Sequence, residues 1–185
     1  KSRPKAAPGL AKDISTGLVI VGGGFTGLWT AINAKIHQPN LDVVLIDSQR
    51  IGDGAAGRNG GFVSASLTHG FPNGFGRWEH ELTQLVALGH ENLDEIEDFL
   101  TEHKIDADFE WFGEFDVAIT QEHADELREM TATAKKYGED FTFFDAQEFS
   151  KYVKSPIYKG AMLAADCALV NPAKLAWGLR KGVYS

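Results

Sequence analysis

The first apolar run along the chain is Leu18-Val19-Ile20-Val21, and it ends on Gly22-Gly23-Gly24. A short unbroken run bounded by glycines predicts a buried strand and a tight turn, and a helix follows through Ala31 and beyond. Leu41 to Asp47 predicts a second strand that ends on an acid. Between about Trp78 and Ile105 the spacing changes to three and four. Leu82, Leu85, Val86, Leu93, Ile96, Phe99 and Leu100 make the stripe of a long helix, and Gly89 fills its one gap as a kink or a close helix contact. The opposite face, Glu81, Glu91, Glu95, Asp98 and Glu102, reads as solvated.

Phe109 to Thr120 alternates, with Phe109, Trp111, Phe115, Val117 and Ile119 on one side and Glu110, Glu114, Asp116 and Thr120 on the other. That predicts a half-buried antiparallel strand, or a hairpin bent near Gly113. Its aromatic side suits a sheet-on-helix core better than the wall of a cavity. Gln121 to Tyr137 is a second amphipathic helix ended by Gly138. A strand over Phe141 to Phe144 comes next. A short helix to about Tyr152 then opens on Asp145, with Glu148 as its capping-box partner. Tyr158 to Val170 is extended, with a bend near Ala165-Asp166. Asn171-Pro172 starts a last helix, for which Gly182 is the expected stop. Val183-Tyr184-Ser185 then reads as the opening of another strand. Residues 1–16, polar and carrying Pro4 and Pro8, look like an arm or linker without a core.

Composition narrows the function classes. The 185 residues, 43% of them hydrophobic, suffice for one domain or for part of a larger one. A formal charge of −8 argues against nucleic acid as a partner. No apolar run approaches the roughly 20 residues of a membrane span. Cys167 is the single cysteine, which suits a reducing, cytoplasmic setting and a small core residue rather than a nucleophile. The six histidines are not spaced as metal ligands, so no metal is expected. His69 reads as an ordinary loop histidine rather than a cofactor neighbour. No nucleophile turn, phosphate-binding P-loop or paired-cysteine motif is present.

The chemistry concentrates in two stretches. Gly22, Gly24 and Gly27 stand in the G-x-G-x-x-G spacing. Gly22 permits the turn, Gly24 lets a pyrophosphate approach the backbone, and Gly27 lets the helix pack closely on its strand. The helix N-terminus offers free N–H groups to the phosphates. Asp47, twenty residues beyond Gly27, can accept hydrogen bonds from ribose hydroxyls and disfavours a 2′-phosphate. Strand, turn, helix, strand and acid together predict a βαβ dinucleotide-binding unit. The second stretch, Ser48 to Phe62, holds five glycines and two alanines, which suggests backbone that something approaches closely. Its amides could meet the pyrophosphate, and Arg58 a phosphate or a ring edge.

The segments G-G-G-F-T-G-L at 22–28, Asp47, and G-A-A-G-R-N-G-G at 54–61 resemble the FAD-dependent D-amino-acid oxidase superfamily, in particular its γ-glutamylputrescine oxidoreductase branch. The resemblance implies FAD as cofactor. It implies contacts from Gly22, Gly24, Phe25, Thr26 and Gly27 to the pyrophosphate, and from Asp47 and Ser48 on the ribose side. Ala56, Gly57, Arg58, Asn59, Gly60 and Gly61 would run toward the flavin. Ala56 stands where the family often has Ser, so a backbone contact survives there and a hydroxyl contact does not.

The expected fold is α/β, or α+β overall. A Rossmann-like βαβ FAD-binding unit (17–77 and 171–185) carries an inserted, mostly antiparallel sheet-plus-helix substrate region (78–170). With only two parallel strands the fold is incomplete, and the chain reads as the N-terminal part of a longer enzyme, whose partner is the missing part or a second chain. The resemblance implies oxidation of a small amine or amino acid by hydride transfer to flavin, with oxygen or another acceptor reoxidising it. Catalytic residues are not assignable. The alternatives are another FAD enzyme, such as a ring hydroxylase, and a nucleotide-binding or assembly module without turnover.

Overall fold

The computed structural model describes residues 3–183. After an exposed arm come β1 (Leu18–Val21), α1 (Phe25–His37) and β2 (Val43–Ile46). Next are β3 (Phe62–Ser64), α2 (Phe71–Trp78) and α3 (Leu82–Glu102). The antiparallel strands and their helices follow: β4 (Glu110–Trp111), β5 (Glu114–Ala118), α4 (Gln121–Ala134), β6 (Phe141–Asp145), α5 (Ala146–Phe149), β7 (Gly160–Ala164) and β8 (Cys167–Leu169). α6 (Pro172–Val183) ends the described chain. Two compact units result. One comprises the described parts of Lys1–Phe62, Asp98–Phe109 and Val170–Ser185; the other comprises Val63–Glu97 and Glu110–Leu169. Residues 63–77 thus lie in the second unit and 98–109 in the first. Periodicity reports which face of a helix is apolar but not which neighbour takes it.

In the first unit β1 and β2 pair in parallel, with Leu18 opposite Val43 and Val21 opposite Ile46. α1 buries Leu28, Ala31 and Ile32, and α6 packs beside it through Leu175, Ala176 and Leu179. Trp29 meets Phe99 edge to face at 4.9 Å. The expectation of a buried β1 holds only at Ile20; Val19 is 53% exposed and Val21 80%. Among the described residues this sheet has only two strands, so half of the apolar surface of β1 has no cover. Gly182 does not stop α6, which continues through Val183. A Cβ at Gly182 would make ordinary contact with the Phe99 ring at 3.5 Å and the residue is not left-handed, so the fold does not require glycine there. Of the strand expected at 183–185, Val183 lies in this helix and the remainder falls outside the described residues.

In the second unit β7 lies between β5 and β6, antiparallel to both. Register puts Glu114, Ala164 and Phe141 in one row and Asp116, Met162 and Phe143 in the next, on the same face. Further along, Ala118 and Met162 pack on Ala124 and Leu127 of α4. Phe115 and Phe144 point to the opposite face, where Phe149 and Tyr152 close an aromatic cluster at 5.1–5.3 Å. The alternation read over 109–120 breaks at Gly113, whose φ is +71°. β4 there leaves β7's sheet and pairs with β8, because β7 and β8 are themselves separated by a bend at Ala165-Asp166. Trp111 and Ile119 stay exposed in consequence.

The long helix begins at Leu82, not Trp78, and is unbroken at Gly89. A Cβ there would stand 2.5 Å from the Ala65 carbonyl oxygen, so it is a loop, not a helix, that needs the space. α2 precedes it, although Gly74 and Gly76 discourage a helix. Its Phe71 is held by Tyr137 and Phe141 at 5.9 and 6.2 Å. Both ends of α4 follow the pattern: Thr120 accepts from the His123 amide at 3.2 Å, and Gly138 turns left-handed at φ +99°. Asp145 and Glu148 form a reciprocal capping box, but α5 ends at Phe149, three residues short of Tyr152.

Candidate functional site

In the first unit the glycine turn is built by close approach. A Cβ on Gly27 would lie 1.9 Å from the Gly22 carbonyl oxygen, so only glycine lets α1 start there. Gly22 takes φ +108° with nothing within 4 Å of its missing Cβ. Gly24 differs. Its backbone is ordinary, with φ −78°, and the nearest atom to its missing Cβ is Ala56 Cβ at 3.9 Å. The fold itself does not require glycine at 24; the open space in front of it does. That space is a groove of about 640 Å³ whose lining includes Gly22, Gly24, Phe25, Thr26, Gly27, Ala56 and Asn59. α1 faces it without a side-chain cap and without an acid in its first turn. Free N–H groups at the positive end of a helix, beside glycines that leave room, fit a pyrophosphate.

Asp47 stands at the end of β2, exposed, with its carboxylate oriented by two backbone amides. Oδ2 accepts from Gly23 N–H and Oδ1 from Gln49 N–H, both at 2.6 Å. A carboxylate has about four acceptor sites, so two are left for a diol. Ser48 beside it is exposed. Gly23 is a residue that the motif spacing did not single out: its amide fixes the acid, and its Cβ position is filled by Ile51 at 2.7 Å.

The glycine-rich loop is shaped mostly by the protein itself. A Cβ on Gly57 would meet the Gly52 carbonyl oxygen at 2.1 Å, and one on Gly61, at φ +80°, the Val170 carbonyl oxygen at 2.1 Å. Gly60 faces the Phe62 ring at 3.3 Å. Asn59 braces the loop: its Nδ2 donates to the carbonyls of Ala55 and Ala56, each at 3.1 Å, and its Oδ1 accepts from Gly61 N–H at 2.9 Å. Trp177 of α6 donates to the Ile51 carbonyl at 3.2 Å and covers Gly52, which takes φ +83°. No local pattern announces Trp177, because its partner is 126 positions away. Arg58 is exposed, and its charge joins those of Arg3 and Arg50 around Asp53. The Arg3 hydrogen bond, first among these influences, holds the Asp53 carboxyl below the usual carboxylate range. Thus Gly22, Gly24, Phe25, Thr26, Gly27, Ala56 and Asn59 share one groove. Asp47 and Ser48 sit at the β2 end, while Gly57, Arg58, Gly60 and Gly61 shape the loop without lining the groove.

The second unit holds a separate cavity of about 470 Å³, with His69 and Cys167 in its wall. Burial pushes the Cys167 thiol up, so it is a protonated core group there. Among the described residues no group of three or more His, Cys, Asp or Glu could hold a metal ion, and no helix is long and apolar enough to cross a membrane.

Residues 18–184 match the family described as FAD dependent oxidoreductase, DAO. The chain is 29% identical over 171 residues to gamma-glutamylputrescine oxidoreductase of Escherichia coli (strain K12), a match covering 91% of this chain and 39% of that protein. In three dimensions it is similar to L-amino acid deaminase from Proteus vulgaris, with a TM-score of 0.75 at 17% identity over 99% of this chain and 40% of that one. It is also similar to glycine oxidase from Bacillus cereus ATCC 14579, with a TM-score of 0.70 at 16% identity over 92% and 44%. At these identities the structural likeness speaks to the fold alone. The chain spans 39% of the length of the curated relative from Escherichia coli.

Proposed function

The chain belongs to the DAO family of FAD-dependent oxidoreductases, and we propose that it supplies the FAD-holding portion of an enzyme oxidising a small amine or amino acid. The observation that carries this reading is the groove before Gly24, which the fold leaves open and does not itself need. Phe25, Thr26 and Gly27 would present their amides to the pyrophosphate from the start of α1. Asp47, held by Gly23 and Gln49, would accept from the ribose hydroxyls, with Ser48 alongside. Ala56 and Asn59 would border the path toward the flavin, and Gly57, Arg58, Gly60 and Gly61 would set its shape and charge. When bound, FAD supplies a hydride acceptor for the carbon that carries the substrate's amine nitrogen.

The exposed Val19 and Val21 argue that further polypeptide, in this chain or in a second one, completes the sheet. The unpaired, buried Cys167 suits the cytoplasm, and reoxidation by oxygen or another acceptor completes the cycle.

The test is visible absorbance of the purified protein, followed by amine and amino-acid substrates added without air. A yellow protein whose flavin band bleaches with a substrate of this class is the expected result. A colourless protein that takes up no added FAD would overturn the reading and leave a non-catalytic module.

A further inference from the structure

Residues 3–15 are exposed with one exception. Pro4 is half-buried, in a cleft of about 200 Å³ between the loop at 104–106 and Trp177, Gly178 and Lys181 of α6. The residues on either side of it are held as well. Arg3 Nη2 donates to Asp53 Oδ1, and the Lys5 carbonyl accepts from Arg180 Nη1 at 2.8 Å. A polar arm without a core keeps one path only where something ties it down. Here Arg3, Pro4 and Lys5 are all tied, and every anchor lies within the first unit.

Asp53 belongs to the glycine-rich loop. Its amide donates to the Arg50 carbonyl at 3.0 Å and closes a turn over 50–53. α6 holds that turn through the Trp177–Ile51 hydrogen bond, and Arg3 holds its last residue. The turn touches the backbone that follows it: a Cβ on Gly57 would fall 2.1 Å from the Gly52 carbonyl oxygen. Ala55, Ala56 and Asn59, on either side of Gly57, line the groove before Gly24. A displacement of the turn therefore reaches the groove wall, because close-packed backbone transmits strain. Charge acts in the same direction. Among the described residues Arg3 is the cation paired with Asp53, while Arg50 and Arg58 act on its carboxylate from farther away. With Arg3 in place, Arg58 stays exposed next to Asn59. Without it, the Asp53 carboxylate would draw a neighbouring arginine and pull the loop with it.

We propose that Arg3 and Asp53 are positioning residues for the cofactor: the arm is a strap that fixes the turn over 50–53, and with it the wall of Ala55, Ala56 and Asn59 that FAD would meet. Arg3 is not among the residues that line the groove, so its influence runs through Asp53. A lone exposed ion pair contributes little. Anchors on consecutive residues act together, because the first to form raises the effective concentration of the others. The proposal deepens the reading of the groove as the FAD site. It rests on that reading for the cofactor but not for the hold on the loop.

The experiment uses the whole protein, stripped of flavin, with FAD affinity read by fluorescence titration and amide exchange read without FAD. Arg3→Ala should weaken FAD at least about threefold, as expected for the loss of a partly exposed pair. It should also speed exchange over 55–59, leave 114–118 as in the parent and leave the urea midpoint nearly unchanged. Arg3→Lys, which keeps the charge, should recover most of the affinity. Asp53→Asn should match Arg3→Ala, and the double variant should be no weaker than either single one, because the two residues act as a pair. Lys12→Ala, at an exposed arm position beyond the anchors, should change nothing. The proposal is overturned if an FAD-binding parent and Arg3→Ala share one affinity, if exchange over 55–59 is the same in both, or if the single losses add in the double variant. A parent that takes up no FAD would sink the flavoenzyme reading, while faster exchange over 55–59 in Arg3→Ala would still uphold the strap. A yellow parent with unmoved variants would do the reverse.

Discussion

Gly24 and Gly27 serve different purposes in the turn after β1, and substitution separates them. Gly24→Val should fold, because the backbone there is extended and the nearest atom is 3.9 Å from the added Cβ. The loss should stay under about 1 kcal/mol, as for a poorer helix cap. Bound flavin should nevertheless fall at least about tenfold, read as absorbance per protein, because the new side chain fills the groove. Retention of full flavin by a folded Gly24→Val protein would refute the assignment of the groove. Gly27→Ala should instead lower the urea midpoint, with a cost of about 3 kcal/mol, since its Cβ would overlap the Gly22 carbonyl. Glu139 carries the clearest pH signal. Burial raises its folded-state pKa above the unfolded value, the nearby Asp166 adds to that, and His90 opposes it. The folded protein therefore binds this proton more tightly than the unfolded chain does. Its contribution is fully present below the ordinary carboxylate range, about 4.3, and is lost as pH rises from there through the raised value. Urea midpoints against pH should show this decline in the parent and not in Glu139→Gln; superimposable profiles would contradict it. The spacing of Gly22, Gly24 and Gly27 and the acid Asp47 were legible as a motif because each acts on near neighbours. The bracing by Asn59 and Trp177 was not, because their hydrogen bonds depend on where the loop ends up.

Helix and strand patterns predicted elements well where local chemistry decides them. The cap at Thr120, the left-handed turn at Gly138 and the Asp145–Glu148 box need only residues within a turn of each other. Asp145→Ala should cost about 1 kcal/mol in urea unfolding, through loss of that box. Gly89 is the opposite case. Helix propensity alone says that Gly89→Ala gains about 1 kcal/mol. Packing says that it loses roughly 1–3 kcal/mol, because the methyl would enter the Ala65 carbonyl. A lower melting temperature for Gly89→Ala is the expected outcome; a higher one would mean that the loop at Ala65 yields freely. The same distinction explains α2. Its glycines made the segment unreadable as helix, and the aromatic contacts of Phe71 with Tyr137 and Phe141 override them.

At the scale of the molecule, the groove proposed for the cofactor lies in the first unit, so its ligand should act locally. Added FAD should slow amide exchange over Gly24–Leu28 and Ala55–Asn59 and leave Glu114–Ala118 unchanged. Protection by FAD in the antiparallel sheet alone would displace the proposed groove. The sequence by itself determined the parallel βαβ order, the tight glycine turn, the acid that follows it and most helix and strand positions. These depend on periodicity, caps and close spacing, which act within a few residues. Only the tertiary structure decided that the polar side of β5, rather than its aromatic side, carries the charged wall of the cavity. It also brought Glu139, His90 and Asp166 together from three elements, set Trp177 against Ile51 and left one face of β1 uncovered. Those outcomes rest on which surfaces meet across long stretches of chain, and no local pattern records that choice.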